Sequence, residues 1–292
     1  MPHYTVSQLP FRICGPQAAD AERYLPGLAP FRKPDGVEQF TILLDDSVPP
    51  TPPLSSPLYR FYFPEKDMLC LFDTTEDYRL QMTPAHSDTR KGACPFLLRQ
   101  SPDDATTHIQ CTDPSLLPFG LWFAFALQSA VRHRIPIHAS SVVWHDQAVA
   151  LLGESGTGKS THASLWLQHI AGSHLLNDDS PVLDTSGAHP LLWGSPWSGK
   201  TPCYVNRGFP LRAVVRLVQA PENRIRRLNS LESLAALMPS CPPALMADEG
   251  CRTLLLSTVE PVLRHVPVFQ LCCRPDVDAA RLCFNTLFPS ST

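Results

Sequence analysis

Hydrophobic and polar positions change rhythm partway along the chain. In the first 115 residues, short runs of β-branched and aromatic residues are separated by turn-forming stretches. The runs at 40–44, 59–63, 68–72, 78–82 and 95–99 predict strands of an antiparallel meander. The most apolar stretch, 116–131, predicts a buried helix within 114–134. It contains Gln128 and Ser129 and falls short of the ~20 apolar residues that a membrane span needs. A strand over 135–144, a turn at His145-Asp146-Gln147 and a second buried strand over 148–152 follow. Ala163, Trp166, Leu167 and Ile170 then recur at the spacing of one helix face, and Gly172 stands where that helix should stop. Strands at 174–176, 211–217 and 266–271 and helices at 231–237 and 276–288 complete the pattern. It predicts a β-rich domain over 1–115 and an α/β domain with a mixed sheet over 116–292.

Between the strand at 148–152 and the helix behind it lies Gly153-Glu154-Ser155-Gly156-Thr157-Gly158-Lys159-Ser160. This run fits the phosphate-loop pattern G-x-x-x-x-G-K-[ST] at every fixed position. Glycines let the backbone curl so that successive amides point into one hollow, and the helix that follows adds its positive end. In such a loop Lys159 reaches the β- and γ-phosphates of a nucleotide, and the Ser160 hydroxyl ligates Mg²⁺. Ser155, Thr157 and Thr161 belong to the same cradle, while Glu154 reads as a solvated side chain. The strand at 174–176 runs into Asn177-Asp178-Asp179. A carboxylate at the end of the strand after a phosphate loop is where Mg²⁺ is usually held.

Composition narrows the partners. A net charge of −3 offers no global attraction to nucleic acid or to an anionic membrane. The 31 prolines cluster in connections, such as 49–53, and read as ordered turns. Asp45-Asp46 and Asp103-Asp104 read as solvated turns. The ten cysteines lack zinc-site spacing and read as buried reduced thiols. The first residues lack the basic and then apolar pattern of a secretory signal, which points to a soluble cytoplasmic protein.

Three features together resemble the HPr kinase/phosphorylase family: His138 ahead of the loop, the loop itself, and the paired Asp178 and Asp179 after the next strand. The resemblance covers about 135–185. It implies the α/β core that this family shares with phosphoenolpyruvate carboxykinase, and an enzyme that uses ATP and Mg²⁺ to phosphorylate a hydroxyl, a seryl one in the family. The acceptor would belong to a protein, a peptide or a small molecule. Some members reverse the step with inorganic phosphate. By the same resemblance Asp178 is the general base, Asp179 positions the metal or the base, and His138 lies beside the base and the acceptor. Lys159 and the loop residues Gly153, Gly156, Gly158 and Ser160 hold the nucleotide. The family's second downstream signature is missing. In its place 194–202 resembles a divergent HPr-kinase-like branch, with Lys200 and Arg207 as candidate contacts for phosphate or acceptor and Trp197 as the anchor if the run is only a packed turn. Arg224, Arg226 and Arg227 read as a solvated face. Members of the family form hexamers, so a homo-oligomer is open. The alternative is a nucleotide-sensing module without phosphoryl transfer. A carboxykinase proper fits less well, because its family is much longer.

Overall fold

The computed structural model describes residues 2–34, 36–45, 54, 56–63, 66–85 and 94–289. Asp46 and the prolines at 49–53 lie outside the described residues. The fold is mixed α/β, and the chain divides into two compact units. One comprises Met1–Ser129 with Ala244–Arg252, the other Ala130–Pro243 with Thr253–Thr292.

The first unit is built on β1 (His3–Val6), β2 (Leu9–Cys14), α1 (Ala18–Tyr24), β3 (Arg32–Lys33), β4 (Phe40–Leu44), β5 (Tyr59–Phe63), β6 (Met68–Asp73), β7 (Tyr78–Pro84), β8 (Phe96–Gln100), β9 (Thr106–Cys111) and α2 (Leu117–Ala130). Its strands form one sheet in the order β3-β1-β2-β4-β9-β8-β7-β6-β5. From β5 to β8 this is the antiparallel meander that the sequence predicts, and β9, a strand the sequence pattern did not predict, continues it. The sheet as a whole is mixed, because β4 joins both β2 and β9 in parallel. The connection from β2 to β4 contains α1, long enough for a parallel crossover that no tight turn could make. Helix α2 is apolar on all sides because it is buried: Leu121, Phe123, Ala124, Phe125 and Ala126 are all inside. Phe125 packs on Phe11 and Phe40, and Phe123 meets Phe72 edge-on. Gln128 fits here because its amide donates to Thr107 Oγ1 at 3.1 Å and to the Asp104 carbonyl at 3.2 Å. Among the described residues no helix is long and apolar enough to cross a membrane.

The second unit contains β10 (Arg134–Pro136), β11 (Ser140–Trp144), β12 (Gln147–Leu152), α3 (Lys159–His169), β13 (His174–Asn177), β14 (Val182–Asp184), β15 (Leu191–Trp193), β16 (Gly208–Gln219), β17 (Arg224–Arg227), α4 (Ser230–Leu237), β18 (Val268–Cys273) and α7 (Val277–Leu287). Helices α5 (Pro243–Ala247) and α6 (Glu249–His265) precede β18 in the chain. The single strand expected over 135–144 is two strands. β10 pairs with β14, whereas β11 pairs with β12 and β13. Pro136 has no amide to continue a ladder, and the backbone of 137–139 bends between the two partners. The amides of Ile137, His138 and Ala139 go instead to the carbonyls of Pro181, Ser240 and Asp179.

Strand direction in this unit sets up the site. The run of paired strands is β13–β11–β12–β16–β18–β17. β11 is antiparallel to both β12 and β13, while β12, β16 and β18 are mutually parallel. The carboxyl ends of β13, β12, β16 and β18 therefore lie along one edge. Helices α3 and α7 share a buried core with this sheet, joining Val149, Leu151 and Val215 to Ala163, Trp166, Ala280 and Leu287. The Trp166 ring stands edge-on to Phe284 at 5.7 Å. All ten cysteines are free thiols, and six of them are buried as expected, but Cys94, Cys203, Cys272 and Cys273 are only partly buried.

Trp166 Nε1 donates to His162 Nε2 at 3.3 Å. A ring nitrogen accepts only without its proton, so His162 is neutral in this pair. Burial pushes its pKa down from the ordinary 6.5 to about 4. The unfolded chain would protonate this imidazole where the folded one does not, so stability is lost as pH falls from about 6.5 toward 4. Between pH 7 and pH 4 the wild-type chain is expected to lose about 3 kcal/mol more unfolding free energy than His162→Phe. Urea denaturation at the two pH values measures this, and equal losses in the two proteins would refute the assignment.

Candidate functional site

The run Gly153-Glu154-Ser155-Gly156-Thr157-Gly158 leaves the end of β12 and enters α3. Its glycines are required by geometry. A Cβ on Gly153 would lie 2.7 Å from Thr157 Oγ1. Gly156 and Gly158 have φ of 79° and 99°, a region that side-chain-bearing residues rarely adopt. Gly158 precedes α3 and has no side chain to cap it, so the first-turn amides receive no side-chain cap. Thr157 ties the loop to itself, its amide donating to the Glu154 carbonyl at 3.2 Å and its hydroxyl bonding to the same oxygen. Gln219, at the end of β16, donates from Nε2 to the Gly156 carbonyl at 3.2 Å. Ser155, Ser160 and Thr161 are exposed along the loop and the start of the helix.

Lys159 is buried, and its ammonium folds back onto the carbonyls of Gly153 at 2.8 Å and Glu154 at 3.1 Å. Burial lowers its pKa below the ordinary lysine value. Asp179 and Asp178 pull it back up, and the Arg216 guanidinium pushes it down. The lysine and the two acids are thus electrostatic neighbours, although about 20 residues separate them in sequence.

The acids sit on a turn framed by Asn177. Asn177 is fully buried, and five hydrogen bonds converge on its side chain. Its Oδ1 accepts from the amides of Asp179 and Ser180, and its Nδ2 donates to Ser195 and to the Trp197 carbonyl. Asp178 is buried, with Oδ1 accepting from Ser140 Oγ at 3.0 Å. Its Oδ2 is buried with no hydrogen-bond partner, a costly state for a carboxylate oxygen unless something else meets it. Asp179 is half-exposed, with Oδ1 3.3 Å from His138 Nδ1 and Oδ2 accepting from Ser180 Oγ at 3.0 Å. His138, expected on a strand, stands exposed in the bend between β10 and β11.

The run 194–202 closes on the same acids. A Cβ on Gly199 would lie 3.1 Å from the Asp178 carbonyl and 3.7 Å from Asp178 Oδ2. Trp197 is buried and anchors the run, and the exposed Lys200 follows directly after Gly199. Arg207 goes elsewhere. It pairs with Asp146 at 3.0 Å and covers the Phe209 ring, at the opposite end of β12 from the glycine loop. Arg226 is held by Glu232 and Gln270.

Two residues at this edge were not singled out from sequence. Ser140 opens β11 and holds Asp178. Arg216 lies beside Leu152, the last residue of β12, in the parallel register of β16. The available signal for Arg216 was one arginine in the otherwise apolar run 213–218. Two cavities flank the loop. One, of about 650 Å³, is bounded by Gly156, Thr161, His162, Gln219, Arg274 and Pro275. The other, of about 290 Å³, is bounded by Glu154, Ser155, Arg216 and Gln219. A cavity of about 730 Å³ in the first unit contains Glu22, whose carboxylate is already taken by Tyr4 and Arg32. Among the described residues no group of three or more His, Cys, Asp or Glu is placed to hold a metal by itself.

No protein-family model matches the chain, and no curated protein matches it. Among solved structures it is similar to the Hpr(Ser) kinase/phosphatase from Coxiella burnetii, at 16% identity and a TM-score of 0.31, over 52% of this chain and 87% of that one. This is a distant likeness.

The Asn177 frame can be tested by itself. Asn177→Ala strands two buried amides and removes the donor to three oxygens, and is expected to cost about 2–4 kcal/mol of stability. Guanidinium denaturation reads the loss. A change below about 0.5 kcal/mol, the scale of an ordinary surface substitution, would show that the aspartate turn holds without it.

Proposed function

We propose that the second unit is an ATP- and Mg²⁺-dependent kinase that transfers a phosphoryl group to a hydroxyl, seryl by preference, of a protein, peptide or small molecule. One observation carries the reading. A buried carboxylate oxygen with no partner, Asp178 Oδ2, belongs to the same electrostatic cluster as the Lys159 ammonium at the head of the glycine loop. A hydroxyl must lose its proton as it attacks phosphorus, and an unpartnered carboxylate oxygen is suited to take it. Pure nucleotide sensing has no need of that base.

Strand order supports a direction for the nucleotide. The acids follow β13 on one side of the loop, and the cavity of about 650 Å³ lies at the end of β18 on the other. The triphosphate tail then points toward Asp178 and the nucleoside toward the cavity. Lys159 exchanges its two loop carbonyls for phosphate oxygens and neutralises the charge that develops in transfer. Asp178 takes the proton, held in place by Ser140. His138 and Asp179 border the acceptor side, and Lys200 meets an anionic part of the acceptor or the phosphate. Were Mg²⁺ bound, Ser160 Oγ and an Asp179 oxygen, both hard oxygen donors, would be the residues to hold it. When bound, that ion supplies further charge neutralisation on the phosphate oxygens.

The test is transfer from γ-labelled ATP into fractionated cell extract, followed by binding measurements on variants. One labelled acceptor species is expected. Lys159→Ala is expected to lower transfer by about 100- to 1,000-fold. Asp178→Asn is expected to keep MgATP binding while transfer falls by at least about 100-fold. Labelling by Asp178→Asn at the wild-type rate would remove the base assignment. No labelled acceptor together with intact MgATP binding would leave the sensing module in its place.

A further inference from the structure

The glycine loop carries one acidic side chain, Glu154, where negative charge opposes the anion such a loop is built to hold. Glu154 is 87% exposed at its side chain, and its Oε1 lies 3.8 Å from Arg216 Nη2. Arg216 is only 23% exposed, and its other long contact is Nη1 to the Ala236 carbonyl at 3.3 Å. Both distances are long for a guanidinium, which prefers short paired bonds to a planar oxyanion. Arg216 also stands close enough to Lys159 to disfavour the lysine's charge. Two cations held together in a half-buried place cost free energy unless an anion lies between them. The cavity of about 290 Å³ bounded by Glu154, Ser155 and Arg216 offers that space beside the loop.

We propose that Arg216 is the second cation of the phosphate site and that Glu154 is its placeholder: the Glu154 carboxylate occupies the guanidinium in the empty protein and is displaced by phosphate oxygens of the incoming nucleotide. This rests on the nucleotide reading given above. The exchange is cheap, because an exposed ion pair of this length contributes little. It is also geometrically direct. Arg216 is level with Leu152 in the β12–β16 register, so its side chain starts one strand away from the beginning of the loop. Arg216 leaves a weak carboxylate contact for a polyanion that accepts its whole fork, while Lys159 leaves the two carbonyls. Glu154, already in solvent and with no tight partner of its own, moves off the guanidinium. No bond is made or broken in this step. Only ion-pair partners change.

The proposal makes the two side chains act with opposite sign. In calorimetric titrations of the full chain with MgATP, Arg216→Gln is expected to weaken binding about 10- to 100-fold, with Arg216→Lys in between. Glu154→Gln is expected to tighten it about 2- to 5-fold. That gain should vanish in the Arg216→Gln background, because the placeholder then has nothing to release. Magnesium tripolyphosphate should follow the same order, since the contact is to the phosphate tail. A wild-type chain that binds no MgATP overturns this inference and the kinase reading together. A wild-type chain that binds, with Arg216→Gln unchanged, overturns this inference alone. An equal gain from Glu154→Gln in both backgrounds assigns the effect to simple repulsion and overturns the exchange. Should Arg216→Gln fail to fold in a thermal melt, Glu154→Gln still decides: unchanged or weaker MgATP binding there overturns it.

Discussion

One antiparallel strand sets the geometry on which everything at this edge depends. β11 lies between β12 and β13 and runs against both, so its two neighbours point the same way. With β16 and β18 parallel to β12, four strands deliver their carboxyl ends to one side of the sheet. In open α/β sheets that is the side on which ligands are bound. The glycine loop, the Asp178-Asp179 turn, Arg216 with Gln219, and the 273–275 segment are the four strand ends in question. The amino end of β11 adds Ser140, which grips Asp178 from below. Reverse β11's pairing with either neighbour, and the loop and the acids would leave from opposite edges.

Holding that edge together is a problem of polar satisfaction. The sharp turn after β13 leaves backbone amides that cannot join a ladder, and one buried amide side chain meets two of them. The run 194–202 is pinned by the same residue, so Asn177 couples the acids to the segment that covers them. Against this well-satisfied frame, the exceptions stand out. Asp178 Oδ2 has no partner, Lys159 is satisfied only by the loop's own carbonyls, and Arg216 is held by long contacts. Other buried side-chain atoms, such as Ser173 Oγ and Trp193 Nε1, also lack a partner, but among the described residues Asp178 Oδ2 is the one carboxylate oxygen left so.

The legible part of the fold was the part governed by local rules. Strands at 40–44 and 59–63, the helix face of Ala163 and Trp166, and the glycine loop with its flanking elements follow from periodicity and backbone restriction alone. Several elements carried no clear periodic signal and went unpredicted, among them β1, β2, β9 and the long helix α6, and the other errors fell where pairing decides. Nothing local in 135–144 reveals that it serves two different neighbours, and Pro136 was the one hint. The parallel joins of β4 were equally hidden, because a strand's direction relative to distant strands has no signature in its own residues. Arg207 looked available to a phosphate, yet it faces Asp146 and Phe209 at the far end of β12.

The amino-acid sequence by itself determined which residues could cradle an anion and which could take a proton, because both properties reside in short runs: glycines that permit a curl, a lysine at a helix start, paired acids after a strand. Only the tertiary structure decided that these runs leave the sheet from the same edge. It also decided that Asp178 is buried with one oxygen unmet, that His138 sits in a bend against Asp179, and that Arg216 stands beside the loop. Burial, partnership and electrostatic neighbourhood depend on contacts between residues far apart in the chain, and those are fixed only when the strands choose their partners and directions.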